Sequence, residues 1–194
     1  MTNRIPRSFF IILLGCAIAT TTGCVGMSPK DAGPTQEPPT TIPAGPQAEV
    51  PLPEEVLEAF PEHRPADAVP FNGHYYKVFE VTDPELTWRQ KKALCERMGG
   101  YLVVIETPEE QAFIAKLADD RYLSLGASDQ EVEGQWRWVN GAPWDETYWM
   151  EGQPNDYGGE EHFLATYDDG EWVDVAAAGW DWWLPTGFIC EWEE

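Results

Sequence analysis

Strands, capped helices and a long run of tryptophan- and glycine-rich loop, in that order, predict an α+β domain over residues 71–194. Three features carry the expectation. His74-Tyr75-Tyr76-Lys77-Val78-Phe79 near the start and Phe188-Ile189-Cys190-Glu191-Trp192 at the end are rich in β-branched and aromatic residues. Between them lie two helix-opening signatures, Thr87-Trp88-Arg89-Gln90 and Thr107-Pro108-Glu109-Glu110. From Asp129 to Trp183 helical periodicity then gives way to Trp, Gly, Pro, Asn and Asp. So long an irregular stretch inside a domain is ordinarily functional.

The chain does not begin with this domain. Residues 1–8 carry Arg4 and Arg7 and no acid, and Phe9 to Ala19 is an apolar run. That run is shorter than the ~20 residues a membrane-spanning helix needs. A basic start, a short apolar run and a small-residue exit read as a secretory signal over residues 1–23. The exit, Thr21-Thr22-Gly23-Cys24, resembles a bacterial lipobox, with Thr21 where an aliphatic is usual. Leu13-Leu14-Gly15-Cys16 fits that motif better locally but leaves only Phe9 to Ile12 as the apolar run. The resemblance implies lipidation at Cys24, with Cys16 and a plain signal peptide as alternatives. It also implies an exported lipoprotein of the bacterial cell envelope, anchored by more than one acyl chain.

Residues 24–70 read as a tether. Eleven of the seventeen prolines fall between Pro29 and Pro70. Proline fixes φ and removes a donor, so neither helix nor ladder propagates. The stretch is expected to be mostly extended and semi-rigid. The exception is Leu52 to Phe60, where Val56, Leu57 and Phe60 share a helical face behind Pro53, which implies one short helix docked on the domain.

Within the domain each element has a local reason. The helix opened by Thr87 is expected to run to about Met98, burying Leu94, Cys95 and Met98, and to stop at Gly99-Gly100. Tyr101-Leu102-Val103-Val104-Ile105 reads as a buried strand. The second capping box has Pro108 at the first helical position, and its helix presents Phe113, Ile114 and Leu117. Leu123-Ser124-Leu125-Gly126-Ala127 is a short strand.

Charge narrows the function. Lys+Arg is 12 and Asp+Glu is 34, a formal net charge of −22. A nucleic-acid binder needs a cationic face to displace phosphate counterions, so that class is excluded. Anionic membrane surfaces repel such a domain as well, which leaves the N-terminal anchor as the membrane contact. Cations, neutral polar ligands and basic partners remain. Of the four cysteines, Cys95 and Cys190 lie in the domain. Export favours their pairing as a disulfide. Closing a loop of about 95 residues stabilises by roughly 4–5 kcal/mol in the chain-entropy picture. Two unrelated buried thiols are the alternative.

Residues 71–194 resemble a C-type lectin-like domain. The resemblance rests on Cys95 with Gly99-Gly100, on Leu125-Gly126, and on Gly134-Gln135-Trp136-Arg137-Trp138-Val139-Asn140-Gly141. It continues through Trp149, Gly152-Gln153-Pro154-Asn155, Gly159-Glu160-Glu161, Gly170-Glu171-Trp172-Val173-Asp174 and Phe188-Ile189-Cys190-Glu191. It implies a double loop whose termini pair in one sheet, with two flanking helices and a long loop at the ligand end. Ser124 stands where the family commonly has Trp, and Ala127 where it has Leu. The family's inner disulfide is missing, with His162 in place of one of its cysteines. Trp180, Trp182 and Trp183 are then the candidates to hold that loop by packing.

The same resemblance implies a Ca²⁺ and sugar site at Gln153, Asn155, Glu160 and Asp174, with Pro154 cis and Glu161 as the alternative to Glu160. Such sites hold Ca²⁺ through six to eight oxygens. The same side chains hydrogen-bond the vicinal hydroxyls of a sugar. Val173 offers no oxygen where the family has Asn, so binding is expected to be weak, at ~10⁻⁴–10⁻³ M. Glu-Pro-Asn goes with mannose-like hydroxyls in the family and Gln-Pro-Asp with galactose-like ones. Gln153-Pro154-Asn155 is a hybrid and leaves the sugar class open. Trp144, Trp149, Tyr157 and the Trp180–Trp183 cluster could stack on a ring, but such residues are more often core, since tryptophan is usually heavily buried. Asp129, Glu131 and Glu133 read as a solvated hairpin edge, with another ion as the alternative. No HExxH, GxSxG, P-loop or dinucleotide fingerprint is present, so no catalytic residue is assigned. The expectation is a tethered carbohydrate-binding domain whose partner is a glycan. The alternative is a metal-independent module that binds a surface protein.

Overall fold

The computed structural model describes residues 51–81, 86–177 and 184–194. The leader, Cys16, Cys24 and Trp180, Trp182 and Trp183 lie outside the described residues. Among those described, no helix is long and apolar enough to cross a membrane.

The elements run α1 (Glu54–Ala59), β1 (Val69–Phe71), β2 (His74–Glu80), α2 (Trp88–Arg97), β3 (Tyr101–Leu102), α3 (Pro108–Ala118) and β4 (Leu123–Ser128). They continue with β5 (Arg137–Trp138), β6 (Glu161–Thr166), β7 (Trp172–Ala176) and β8 (Gly187–Glu193). The sheet order is β1-β2-β8-β4-β6-β7, with β3 also on β8 and β5 on β4. The two ends of the domain meet where β2 and β8 pair antiparallel from His74↔Glu193 to Glu80↔Gly187. The β4–β8 pair is parallel.

Alternation along the strands divides the interior into two cores, because successive side chains point to opposite faces. Phe188, Cys190 and Trp192 of β8 face one core with Leu94, Cys95 and Met98 of α2. Ile189 faces the other with Ile114 and Ala118 of α3. In β7, Val173 and Val175 join the first core and Trp172 the second. Gly126 is required where β4 passes over β3. A Cβ there would stand 2.2 Å from the Leu102 carbonyl oxygen.

Both helix starts form where the sequence places them, with different chemistry. Thr87 and Gln90 complete a reciprocal capping box. Thr107 accepts from the Glu110 N–H, but the Glu110 carboxylate turns to the Glu106 N–H at 2.9 Å and the Tyr76 hydroxyl at 2.6 Å. The expected strand over residues 101–105 ends at Leu102. Val103, Val104 and Ile105 are buried but irregular, and the Val104 N–H donates to the Glu191 carboxylate at 2.9 Å. Glu191 also meets His74 Nδ1 at 2.5 Å and accepts from the Tyr101 hydroxyl at 3.1 Å. Burial pushes its carboxyl up to about 7.

The domain also begins earlier than expected. Helix α1 lies on the fold, with the Phe60 ring 5.7 Å from Phe79 and 5.8 Å from Phe188. Arg97 donates to the carbonyls of Leu57 at 2.8 Å and Phe60 at 3.4 Å. The short docked helix expected from the shared face of Val56, Leu57 and Phe60 is present, and its apolar face finds the aromatic edge of the first core.

Cys95 and Cys190 are fully buried and lie against each other, and here the structure departs from the expected disulfide by holding two free thiols. Burial first, and then the hydrogen bond to Cys190, push the Cys95 thiol well above its usual range. The two positions are brought together as expected.

Ser124, small where the family has Trp, leaves room for Lys91. The ammonium is nearly buried and donates to Ser124 Oγ at 3.2 Å and the Pro185 carbonyl at 3.0 Å, with no carboxylate partner among the described residues. Burial lowers its pKa from 10.5 to about 8. A lysine depressed in the fold holds fewer protons folded than unfolded between those values, so stability rises as pH rises from about 8 toward 10. The charged form costs roughly 3 kcal/mol below that window. Denaturant midpoints of the native chain and Lys91→Met, measured from pH 7 to 10, are expected to converge as pH rises. Parallel curves would show that Lys91 is not buried as an ammonium.

Candidate functional site

The loop preceding β6 is held to β7 residue by residue. The Trp172 N–H donates to the Tyr148 carbonyl at 2.8 Å, and the Met150 N–H donates to the Trp172 carbonyl at 2.9 Å. The Gln153 N–H closes a turn on the Met150 carbonyl at 2.9 Å. The Gln153–Pro154 bond is cis, as the sequence resemblance implies. Asn155 Nδ2 then donates to Gln153 Oε1 at 2.8 Å, which sets the two amides side by side.

Asp174 anchors this turn from below. It is only 3% exposed, on the face of β7 that carries Trp172. Its carboxylate accepts the Asn155 N–H at 3.1 and 3.0 Å and the Asp156 N–H at 2.7 Å. Asp156 adopts left-handed backbone, φ 43°, and its carboxylate accepts the Glu161 N–H at 3.2 Å. Glu161 returns the contact by accepting the Tyr157 N–H at 2.9 Å. Burial raises the Glu161 carboxyl above its ordinary value, and the nearby Asp174 and Asp156 charges add to the rise. The loop is thus a ring of backbone N–H groups around three carboxylates.

Of the residues singled out from sequence, the structure brings Gln153, Asn155 and Asp174 together. It does not bring Glu160, which is exposed and makes no hydrogen bond or ion pair among the described residues. Glu161 takes the inward position, because it opens β6 opposite Ala176 while Glu160 is still in the loop. Asp156 was missed, although its adjacency to Asn155 was a usable signal. Val173 is buried in the first core and presents no donor.

The tryptophans divide differently from the stacking expectation. Trp144 and Trp149 join Trp136, Trp138 and Trp172 in one indole cluster. Trp172 is fully buried, with ring centroids 5.6 Å from Trp138, 5.5 Å from Trp144 and 6.0 Å from Trp149. Trp172 Nε1 donates to the Gln111 side chain at 3.0 Å. Trp144 and Trp149 are partly buried and pack against this cluster, which supports the loop. Tyr157, 81% exposed, is the aromatic that the loop presents.

The expected hairpin edge also divides. Glu131 is exposed and pairs with Arg137 at 2.6 Å. Asp129 is 2% exposed, accepts the Gly134 N–H at 2.8 Å and lies 3.2 Å from His162 Nδ1. Glu133 lies 3.2 Å from the same nitrogen. Asp129 is therefore no solvated edge, since its turn closes over its carboxylate.

Residues 84–191 match the family described as "Lectin C-type domain". Among related proteins, the hepatic lectin of Gallus gallus is 33% identical over 107 residues, covering 54% of this chain and 50% of that protein. C-type lectin domain family 4 member E of Mus musculus is 38% identical over 91 residues, covering 44% of this chain and 42% of that protein. The chain spans about half the length of these relatives or less. The carbohydrate-recognition domain of cow CD23, solved with a GlcNAc2Man3 oligosaccharide, superposes with a TM-score of 0.61 at 29% identity. The match covers 69% of this chain and 98% of that one. A calcium-independent type II antifreeze protein superposes with a TM-score of 0.58 at 25% identity, covering 67% and 94%. With its termini paired, its two helices on opposite faces and its cis-proline loop seated on β7, this chain belongs to the C-type lectin domain family.

Proposed function

We propose that the domain binds carbohydrate through the Gln153–Asn155 edge, with weak assistance from Ca²⁺. One observation carries the reading: two side-chain amides sit side by side on a turn fixed to the buried Asp174 carboxylate, with Glu161 beside it. Every donor in that set is oxygen, which suits a hard cation. Gln153, Asn155, Glu161 and Asp174 would hold the ion. Ca²⁺ takes six to eight oxygens, and water completes a shell that Val173 cannot fill. Bound Ca²⁺ would orient a vicinal diol, while the amides donate to its hydroxyl oxygens. Tyr157 offers an apolar face for the sugar ring. The sugar-bound CD23 neighbour supports this reading, and the matched family is a lectin and not an enzyme class.

A second reading is a metal-independent module that recognises a protein surface. Val173 favours it, and so does the loop's own bonding, since Asp174 already satisfies the turn with backbone N–H groups. The calcium-independent antifreeze neighbour shares the fold. Calorimetry in millimolar Ca²⁺ separates the two. Binding heat that is lost in Asn155→Ala and Glu161→Gln but kept in Glu160→Gln is expected. A glycan array is then expected to lose signal on chelation. No heat at millimolar Ca²⁺, with an array indifferent to chelator, would favour the second reading.

We also propose that residues 1–23 are a cleaved leader, that Cys24 is lipidated, and that the domain is held at a bacterial envelope surface. The relatives named above are animal proteins and lend this no support, so it rests on the Thr21–Cys24 exit. Intact-mass measurement of the mature chain is expected to give a start at Cys24 with added acyl mass. An unmodified start elsewhere would remove the anchor.

A further inference from the structure

Where the two ends of the domain meet, a carboxylate lies inside the fold. Glu191 shares a face of β8 with Ile189, which packs in the second core with Ile114 of α3. Its side chain is 2% exposed. One oxygen meets His74 Nδ1 at 2.5 Å and the Tyr101 hydroxyl at 3.1 Å. The other accepts the Val104 N–H at 2.9 Å. Strands β2, β3 and β8 and the irregular chain after β3 therefore meet on one side chain. A second buried carboxylate stands behind it. Glu110 of α3 accepts the Tyr76 hydroxyl at 2.6 Å and the Glu106 N–H at 2.9 Å. The His74 and Tyr76 rings lie nearly parallel, 6.4 Å apart, which places the two pairs side by side.

Charge does not balance in this group. The titratable side chains around Glu191 are His74 and Tyr76 from β2, Tyr101 from β3 and Glu110 from α3, with Glu106 and Glu193 beside Tyr101. Of these only His74 can carry a positive charge at neutral pH. Two buried carboxylates thus share one imidazole, and burial penalises the charge left over. A proton relieves it. The His74 side chain is 32% exposed, so the group is open to solvent protons on that side.

We infer that His74, Glu191 and Glu110 form a proton-sensitive latch between the terminal strands and α3, which takes up a proton in mild acid and holds the domain closed more firmly there. The direction follows from linkage. Burial raises the Glu191 carboxyl from 4.5 to about 7, and the Glu110 charge adds to the rise against the Val104 N–H and His74. Between those values the folded chain binds more protons than the unfolded one. The stabilisation is therefore fully present below the lower value and is lost as pH rises through the upper. In the sheet, β4 and β6 separate β8 from β7. The inference does not depend on calcium or sugar binding.

The test follows denaturant unfolding of the full chain from pH 7 to 4.5 in chelator, beside Glu191→Gln and Glu171→Gln. Acid also relieves repulsion across a chain of net charge −22, so the difference between curves carries the result. The folding equilibrium constant of the native chain is expected to gain up to ~10-fold per pH unit over Glu191→Gln. Glu171→Gln, which removes an exposed acid, is expected to run parallel to the native chain. Where Glu191→Gln fails to fold, carbon-13 NMR of the native chain reads the Glu191 carboxyl directly, with a midpoint expected near neutrality. Native and Glu191→Gln curves that stay parallel, a Glu171→Gln curve that loses the same gain, or a Glu191 midpoint in the ordinary carboxylate range would each overturn the latch.

Discussion

A carboxylate almost without solvent access, on the central part of a strand, needs partners for its oxygens. Asp174 finds them in the backbone N–H groups of Asn155 and Asp156, nineteen and eighteen positions back along the chain. Hydrogen bonds to a charged group contribute roughly 1.5–3 kcal/mol each. Much of the irregular loop's geometry follows from that one residue. It fixes the turn, the turn fixes the two amides, and beside it Asp156 accepts the Glu161 N–H while Glu161 accepts the Tyr157 N–H. The site is thus pre-organised by internal bonding, and a ligand would meet donors already in place.

The scaffold beneath is a sheet with two buried faces. Alternation in β6, β7 and β8 sends each successive side chain to a different core, so a shift of one residue would exchange the cores wholesale. The indole cluster around Trp172 holds this part of the loop by packing. It packs the loop from Trp136 to Trp149 against β7 without a bridge. Under α2, the buried Lys91 ammonium meets the small Ser124 hydroxyl.

Much of this was legible in the chain. The capping residues Thr87 and Thr107 mark helix starts through local hydrogen bonds, and local bonds are what short sequence patterns encode. The strands at His74 and Phe188 are compositionally plain. Strand β1 was not legible, because Pro70 within it argues against a ladder. It is tolerated in this short strand, which lies at the edge of the sheet. The choice between Glu160 and Glu161 depends on where the loop ends and pairing begins, which spacing alone does not determine. Trp144 and Trp149 follow the core reading, and the partner that packs them, Trp172, is distant in sequence. The approach of Asp129 to His162 depends on the register of β4 against β6 and left no local trace. The docked helix at Leu52 to Phe60 was legible from its apolar face, although the aromatic edge on which Phe60 settles was not.

Hydrogen exchange at the amides of Asn155 and Asp156, in calcium-free buffer, bears most directly on the organising role of Asp174. Both amides are expected to be strongly protected in the native chain. In Asp174→Asn they are expected to exchange far faster, while the β2–β8 ladder stays protected. Exchange of both amides at unprotected rates in the native chain, with the ladder intact, would contradict the account, because the loop would then owe its shape to something other than that buried carboxylate.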